Sequence, residues 1–232
     1  MSRSESRENS LYQWSLKRPV LVPFILLAVT ILFRIMDIWV LPFAERWGEA
    51  FLHKALGFVL VLAYLWAAGQ RVSAIGLHGR KAGKAIFIGG VGTALIYLLA
   101  FGLQWIVSRA AGKQPTLEVV AIDSMTDLAK PGVGFVLWLL FANMVNAWME
   151  EGLFRGIMVS HFRVRLSPWQ ANALQAVIFG LWHVFWPIRH LMAGRMDAGA
   201  ALSLALTSVI GATMSGLAWG YLFLQTDNLL YY

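Results

Sequence analysis

Six long apolar runs, nearly free of charge, follow one another along the chain. They are Pro19 to Phe33, Ala55 to Gln70, Ala85 to Ser108, Pro131 to Met149, Leu166 to Ile188 and Ala198 to Thr226. A helix needs about 20 apolar residues to cross the hydrocarbon layer of a bilayer. The third, fifth and sixth runs meet that length outright. The first has 15 residues, so it must continue through Arg34 and Asp37 toward Leu41. These two charges stand three apart on one helical face, where they can pair as a structural ion pair turned into the bundle. The pattern predicts an all-α fold, a multi-pass integral membrane bundle of six transmembrane helices.

The segments between the runs complete the layout. Gly112 to Lys130 carries Leu117, Val120, Ala121, Met125 and Leu128 at near-helical spacing, which predicts an interfacial helix lying on the membrane surface. The polar stretch Met1 to Ser10 reads as a disordered tail. No small-residue cleavage site follows the first run, so that helix is expected to stay as an anchor. The expected organisation is a polar tail over 1–18 and N-terminal transmembrane helices over 19–130, with the interfacial segment near 112–130. A C-terminal helical domain over 131–232 follows. No internal repeat and no soluble domain stands out.

Composition narrows the classes. Hydrophobic residues make up 59% and charged residues 13%, against about a quarter charged in soluble domains; an ordinary globular protein is excluded. Seven Pro and 21 scattered Gly, without a low-complexity tract, exclude fibrous and disordered classes. The absence of Cys removes disulfides, thiolate metal sites and Cys nucleophiles. A net charge of +7 would suggest nucleic acid in a soluble protein. Here it places the lipid bilayer, and no nucleic acid, among the expected partners.

The loop charges set an orientation. With the N-terminus inside, inner segments carry eleven basic residues: Arg3, Arg7, Lys17, Arg18, Arg71, Arg80, Lys81, Lys84, Arg155, Arg163 and Arg165. Outer segments carry six: Arg46, Arg109, Lys113, Lys130, Arg189 and Arg195. The expectation is a multi-pass protein of the cell membrane whose N-terminus and Glu150 end are both cytoplasmic.

Polar residues at hydrocarbon depth are expensive and point to function. Glu150 and Glu151 close the fourth apolar run, and Leu153, Phe154, Ile157, Met158 and Phe162 carry the helix onward. Arg155, four residues after Glu151, can form a salt bridge with it. Glu150 is left with Asn146 and Asn143 on its own face, a polar stripe descending into the membrane. In the fifth run Ser167 can cap the helix and Pro168 suits its first turn. Asn172, Gln175, Phe179 and His183 then share one face. A lone His there is more often a hydrogen-bonding link between helices, but two facing polar stripes can enclose a cavity. Ser208, Ala212, Gly216 and Gly220 form a small-residue packing face on the sixth helix. His53, His78, His161 and His190 fall near loops or helix ends and are assigned no chemistry.

A carboxylate beside a neutral His in such a cavity has two uses. It can act as a general base on water, or the pair can help bind a metal. The zinc signature H-E-x-x-H is absent and one His converges on the carboxylates, so zinc is the lesser alternative. No Ser motif with a partner Lys lies within the bundle.

Glu150-Glu151-Gly152-Leu153-Phe154-Arg155 resembles the E-E-x-x-x-R motif of the CAAX protease and bacteriocin-processing family, also called the Abi family. Phe179-Gly180-Leu181-Trp182-His183 is similar to its second motif, F-x-x-x-H. Order, gap and placement on successive membrane helices agree, over roughly Pro131 onward. The resemblance implies a metal-independent intramembrane glutamate endopeptidase acting on membrane-associated peptides or proteins, with no cofactor. Glu150 would activate the hydrolytic water and His183 would hold that water or the oxyanion. Glu151 and Arg155 would form the supporting pair, with Asn146 and Phe179 beside them. The Gly220 to Leu229 stretch resembles the segment before the family's third motif, H-x-x-x-N, and Tyr232 is reached before that motif. The expectation is therefore a catalytic domain over 131–232 that lacks the family's last catalytic helix. The alternative is a catalytically degenerate membrane scaffold or bacteriocin-immunity protein of the same fold. A small transporter ranks below both, because charged or broken helices along a through-path are wanting.

Overall fold

A computed structural model describes residues 10–41, 43–77, 82–115, 121–126, 128–130 and 132–229. The chain forms α1 (Ser10–Lys17), α2 (Leu21–Ile35), α3 (Phe43–Trp47), α4 (Leu52–Ala67) and α5 (Ala82–Ala110). A two-stranded ribbon follows, β1 (Ala121–Ile122) with β2 (Ala129–Lys130), and then α6 (Val133–Glu150), α7 (Ser160–Phe162), α8 (Pro168–Trp182), α9 (Phe185–Met192) and α10 (Ala198–Thr226). α2 runs on without a break as a π-helical turn, Met36–Val40, and α6 runs on as a second, Glu151–Val159, into α7. Among the described residues, five helical stretches are long and apolar enough to span a membrane: Leu21–Val40, Phe87–Ala110, Val133–Phe162, Pro168–Met192 and Ala198–Thr226. The shorter apolar α4 is the sixth member of the expected bundle. The protein is an all-α membrane helix bundle.

The core lies where α2, α4 and the long α6–α7 helix meet. Val22, Leu26, Val61, Leu65, Phe154 and Phe162 are buried together there. Gly57 lets α4 approach closely, since a Cβ would press on Met149 and Thr30. α8 packs on α10 through glycines from both helices. A Cβ at Gly180 would run into Thr213, one at Gly216 into Ala176, and one at Gly220 into Asn172. This is the close backbone approach that small residues permit between membrane helices. α5 differs: its apolar residues, among them Phe87, Leu98 and Leu99, are largely exposed, as suits a helix whose solvent is lipid.

Hydrogen bonds define the two ends of the bundle. At one end the Tyr64 hydroxyl meets His161 Nε2 at 2.8 Å, and Arg165 donates to the Lys17 carbonyl. α1, the end of α4 and the end of α7 therefore gather there. At the other end Trp138 Nε1 donates to the Trp47 carbonyl, and the Ser124 amide donates to Gly48. The segment 43–51, the ribbon and the start of α6 gather at this end.

The described part of the segment near 112–130 is not an interfacial helix; residues 116–120 lie outside the described ones. Asp123 makes the difference. Its Oδ1 accepts from the Met125 and Thr126 amides, at 2.7 and 3.1 Å, and its carboxylate pairs with Lys130. An Asp whose side chain accepts from the amides two and three residues on favours a turn over a helix. The strands then pair Ala121 with Lys130 and Ile122 with Ala129.

The fifth apolar run is also not one regular helix. Ser167 and Gln170 form a reciprocal cap at its start. α8 ends at Trp182, and His183 and Val184 turn into α9. Pro187, in the first turn of α9, has no amide for the His183 carbonyl, so the α8 ladder stops there.

Candidate active site

The π turn after Glu150 keeps α6 helical through the carboxylate motif, and such turns recur at functional sites because they re-aim side chains. Glu151 and Arg155 form the expected pair at 3.3 Å. Arg155 is fully buried, and its guanidinium lies 4.1 Å from the centre of the Phe179 ring. None of its three nitrogens has a hydrogen-bond partner, and Nη1 makes only the ion pair with Glu151. Gly152 and Gly156 pack against Val61 and Ile75, which closes this side of the helix to larger residues.

Glu150 points elsewhere. Its Oε1 accepts a 2.9 Å hydrogen bond from Trp182 Nε1, which leaves the second carboxylate oxygen for the adjoining cavity. This cavity, about 250 Å³, is lined by Asn143, Asn146 and Glu150 of α6 and by His183 and Trp186 beyond α8. Arg34, Glu49, His53, Lys54 and Ser124 complete its wall. His183 Nδ1 lies 2.8 Å from the Phe179 carbonyl. A carbonyl only accepts, so Nδ1 carries the proton and a neutral His183 keeps Nε2 as an acceptor. The Phe179 ring meets His183 edge-on at 4.7 Å and so links the ion pair to the imidazole.

The structure thus brings Asn143, Asn146, Glu150 and His183 to one enclosure. Asn172 and Gln175 do not join them. Asn172 Nδ2 donates to the Leu217 carbonyl at 3.0 Å, and Gln175 Nε2 donates to Gly216 at 2.9 Å. That half of the second stripe holds α8 to α10, because the glycines there leave carbonyls of α10 within reach.

Arg34 and Asp37 are buried as expected, but not as a simple pair. Asp37 Oδ2 accepts from the backbone amide and ring Nδ1 of His53, at 2.9 and 2.8 Å. Arg34 Nη1 donates to the Trp182 carbonyl at 3.0 Å, and its guanidinium stacks 4.1 Å over the indole. Glu49 and Lys54 pair at 2.9 Å. The apolar pattern did not single out Glu49, His53 or Lys54, which sit at the edge of the shorter α4. The available signal was three polar residues within six positions, opening an apolar helix that must bury them.

The cavity wall includes Glu49 and Ser124, which belong to the 43–51 and ribbon end of the bundle. The N-terminal helix α1 is at the opposite end. Within the bundle, α1 and the Glu49 and Ser124 part of the cavity wall therefore lie at opposite ends. As the apolar residues after Glu151 predict, the helix carrying Glu150 continues to Phe162, so Glu150 is inside the helix. Among the described residues, no three His, Asp or Glu side chains form a group that could hold a metal ion.

Residues 132–232 match the family model described as type II CAAX prenyl endopeptidase Rce1-like. No curated protein and no solved structure matches the chain. The match bears out the resemblance seen in the two motifs, both of which fall inside it.

Proposed function

We propose, from the match of residues 132–232 to the type II CAAX prenyl endopeptidase Rce1-like family model, that this protein is a glutamate-type endopeptidase. It would act in the cell membrane on peptide bonds of membrane-associated peptides or proteins. One observation carries the reading: Glu150 and His183, from separate elements, line a single cavity, each with an acceptor atom left over.

Two acceptors of this kind orient a water molecule. The water donates one hydrogen to the free Glu150 oxygen and the other to His183 Nε2, which aims an oxygen lone pair at the substrate carbonyl. On attack the new C–O bond forms and Glu150 takes the proton, as a positioned general base. The side-chain amides of Asn143 and Asn146 are the donors of the cavity wall toward the oxyanion. When the C–N bond breaks, Glu150 returns the proton to the leaving amine. Glu151 and Arg155 support the backbone beneath and take no part in proton transfer.

The chemistry is read as metal-independent, because the cavity's carboxylates already have protein partners. Glu49 is held by Lys54, and Glu150 by Trp182 with Arg34 close by. Two fixed cations in so small a space oppose a third.

The test is cleavage of a membrane-presented peptide library by purified protein. Glu150→Gln keeps the shape and one carbonyl acceptor but cannot take the proton, so turnover should vanish while folding persists. Unchanged turnover in that variant removes Glu150 as the base. Inhibition by a chelator, reversed by zinc, would replace the glutamate mechanism with a metal-dependent one.

A further inference from the structure

The family-matched segment does not supply everything that touches Glu150. Trp182 donates its indole N–H to Glu150 Oε1 at 2.9 Å, and Trp182 is itself held by a residue far outside that segment. Arg34, on α2, donates through Nη1 to the Trp182 carbonyl at 3.0 Å and lies 4.1 Å over the indole face. The same guanidinium is 5.0 Å from the Phe185 ring and carries a Coulombic interaction with Glu150. Both residues are buried, at 3% and 2% exposure, so neither contact is diluted by bulk water. Arg34 Nε has no hydrogen-bond partner. Retaining an incompletely bonded guanidinium at such depth is costly, and its role as partner of Asp37 is taken by His53.

We propose that Arg34 and Trp182 are the positioning residues of Glu150, Arg34 acting through the indole. The proposal rests on the protease reading given above. A cation over the ring face draws on the indole π system, which strengthens the N–H as a donor to the carboxylate. The bond to the Trp182 carbonyl fixes the end of α8 against α2, and with it the ring. One carboxylate oxygen is thereby occupied and the other is held at the cavity. A base left free to rotate would lose the alignment on which orientation catalysis depends, where a displacement of about 1 Å can cost on the order of a hundredfold.

The experiment pairs kinetics with a spectroscopic readout that does not need activity. The indole ¹⁵N–H resonance of Trp182, assigned as the signal missing in Trp182→Phe, should lie downfield in the wild type. It should move upfield in both Glu150→Gln and Arg34→Met, and stay near the wild-type position in Arg34→Lys, which keeps the cation. In cleavage assays, Trp182→Phe and Arg34→Met should each lower kcat roughly 10- to 100-fold with KM little changed. The double variant should be no slower than the slower single one, because the two residues act in series. Arg34→Lys should recover much of the loss.

Additive losses in the double variant, or a fall confined to KM, would overturn the positioning role. An indole signal that ignores Glu150→Gln would overturn the contact itself. If Arg34→Met does not fold, Arg34→Lys and Trp182→Phe decide the matter by the same criteria. If the wild type cleaves nothing, the protease reading fails, and the indole shift alone then decides whether Arg34 and Trp182 hold the Glu150 side chain.

Discussion

Arg155 lies 3.3 Å from Glu151, one helical turn away, and is completely enclosed. Its other face rests on the Phe179 ring, 4.1 Å from the guanidinium carbon. The pair therefore ties the long α6–α7 helix to α8 directly beneath the two residues proposed to share a water.

Removing one member of such a pair leaves a buried charge uncompensated, which typically costs about 3–5 kcal/mol. Arg155→Ala should accordingly lower the yield of folded protein and its melting temperature in detergent. Replacing both partners by apolar residues of similar size, Glu151→Leu with Arg155→Met, should cost less than Arg155→Ala alone. A double variant less stable than the single one would show that the pair is not a self-contained unit. Thermal unfolding of the three purified proteins decides between these outcomes.

The α8–α10 seam gives a prediction of the opposite kind, from space instead of charge. Gly220 faces Asn172, and a Cβ there would displace the side chain that bonds the Leu217 carbonyl. Gly220→Val should destabilise by about 1–3 kcal/mol from overpacking alone, and by more through the stranded amide. At Gly211, on the same helix, an added methyl would meet no heavy atom within 4 Å. Gly211→Ala should be neutral or slightly stabilising, since Ala is the better helix former. Equal melting temperatures for Gly220→Val and wild type would argue against the tight seam.

Much of this fold is legible in the sequence, for a physical reason. Lipid admits few spanning solutions, so apolar runs of sufficient length map almost directly onto helices. The expected last helix, Ala198 to Thr226, coincides with α10. The same logic makes Glu150, Glu151, Arg155 and His183 conspicuous, because each interrupts an apolar context. Partner choice is harder to read. Asn172 and Gln175 share a helical face with His183, yet they turn to α10 because Gly216 and Gly220 bring that backbone near. Asp37 is spaced for Arg34 but finds His53, which belongs to another helix and is separated by 16 positions. Such pairings depend on how helices are arranged around one another, which periodicity does not encode.

The ribbon carries a pH dependence. Burial pushes the Asp123 carboxyl upward, but the Lys130 ammonium and the Met125 and Thr126 amides outweigh it and hold it below its ordinary 3.8. A carboxyl depressed on folding contributes stability above its unfolded value and loses it as pH falls through the folded one. The ribbon should therefore be intact from neutrality down to about pH 4 and loosen below it. Amide exchange at Met125 and Thr126, corrected for intrinsic rates, should show the loss of protection. Asp123→Asn should show reduced protection already at neutral pH. Protection that is independent of pH in the wild type would remove Asp123 as the organiser of the turn.

The last prediction concerns sidedness. The basic residues of the loops favour a cytoplasmic N-terminus, and the fold puts α1 and the 163–167 turn at one end of the bundle. Glu49, Ser124 and the polar cavity are at the other. If the N-terminus is cytoplasmic, the Glu49 and Ser124 wall of the cavity lies toward the outer face. The chain has no Cys, so single replacements report without background. Arg163→Cys, exposed beside α7, and Lys113→Cys, exposed beyond α5, mark the two ends. An impermeant maleimide applied to intact cells should label Lys113→Cys and spare Arg163→Cys until the membrane is permeabilised. The reverse pattern would turn the protein over, placing that wall toward the cytoplasm against the charge rule. Labelling of both from outside would be incompatible with an odd number of crossings between the two positions, α6 alone, and would undo the helix count itself.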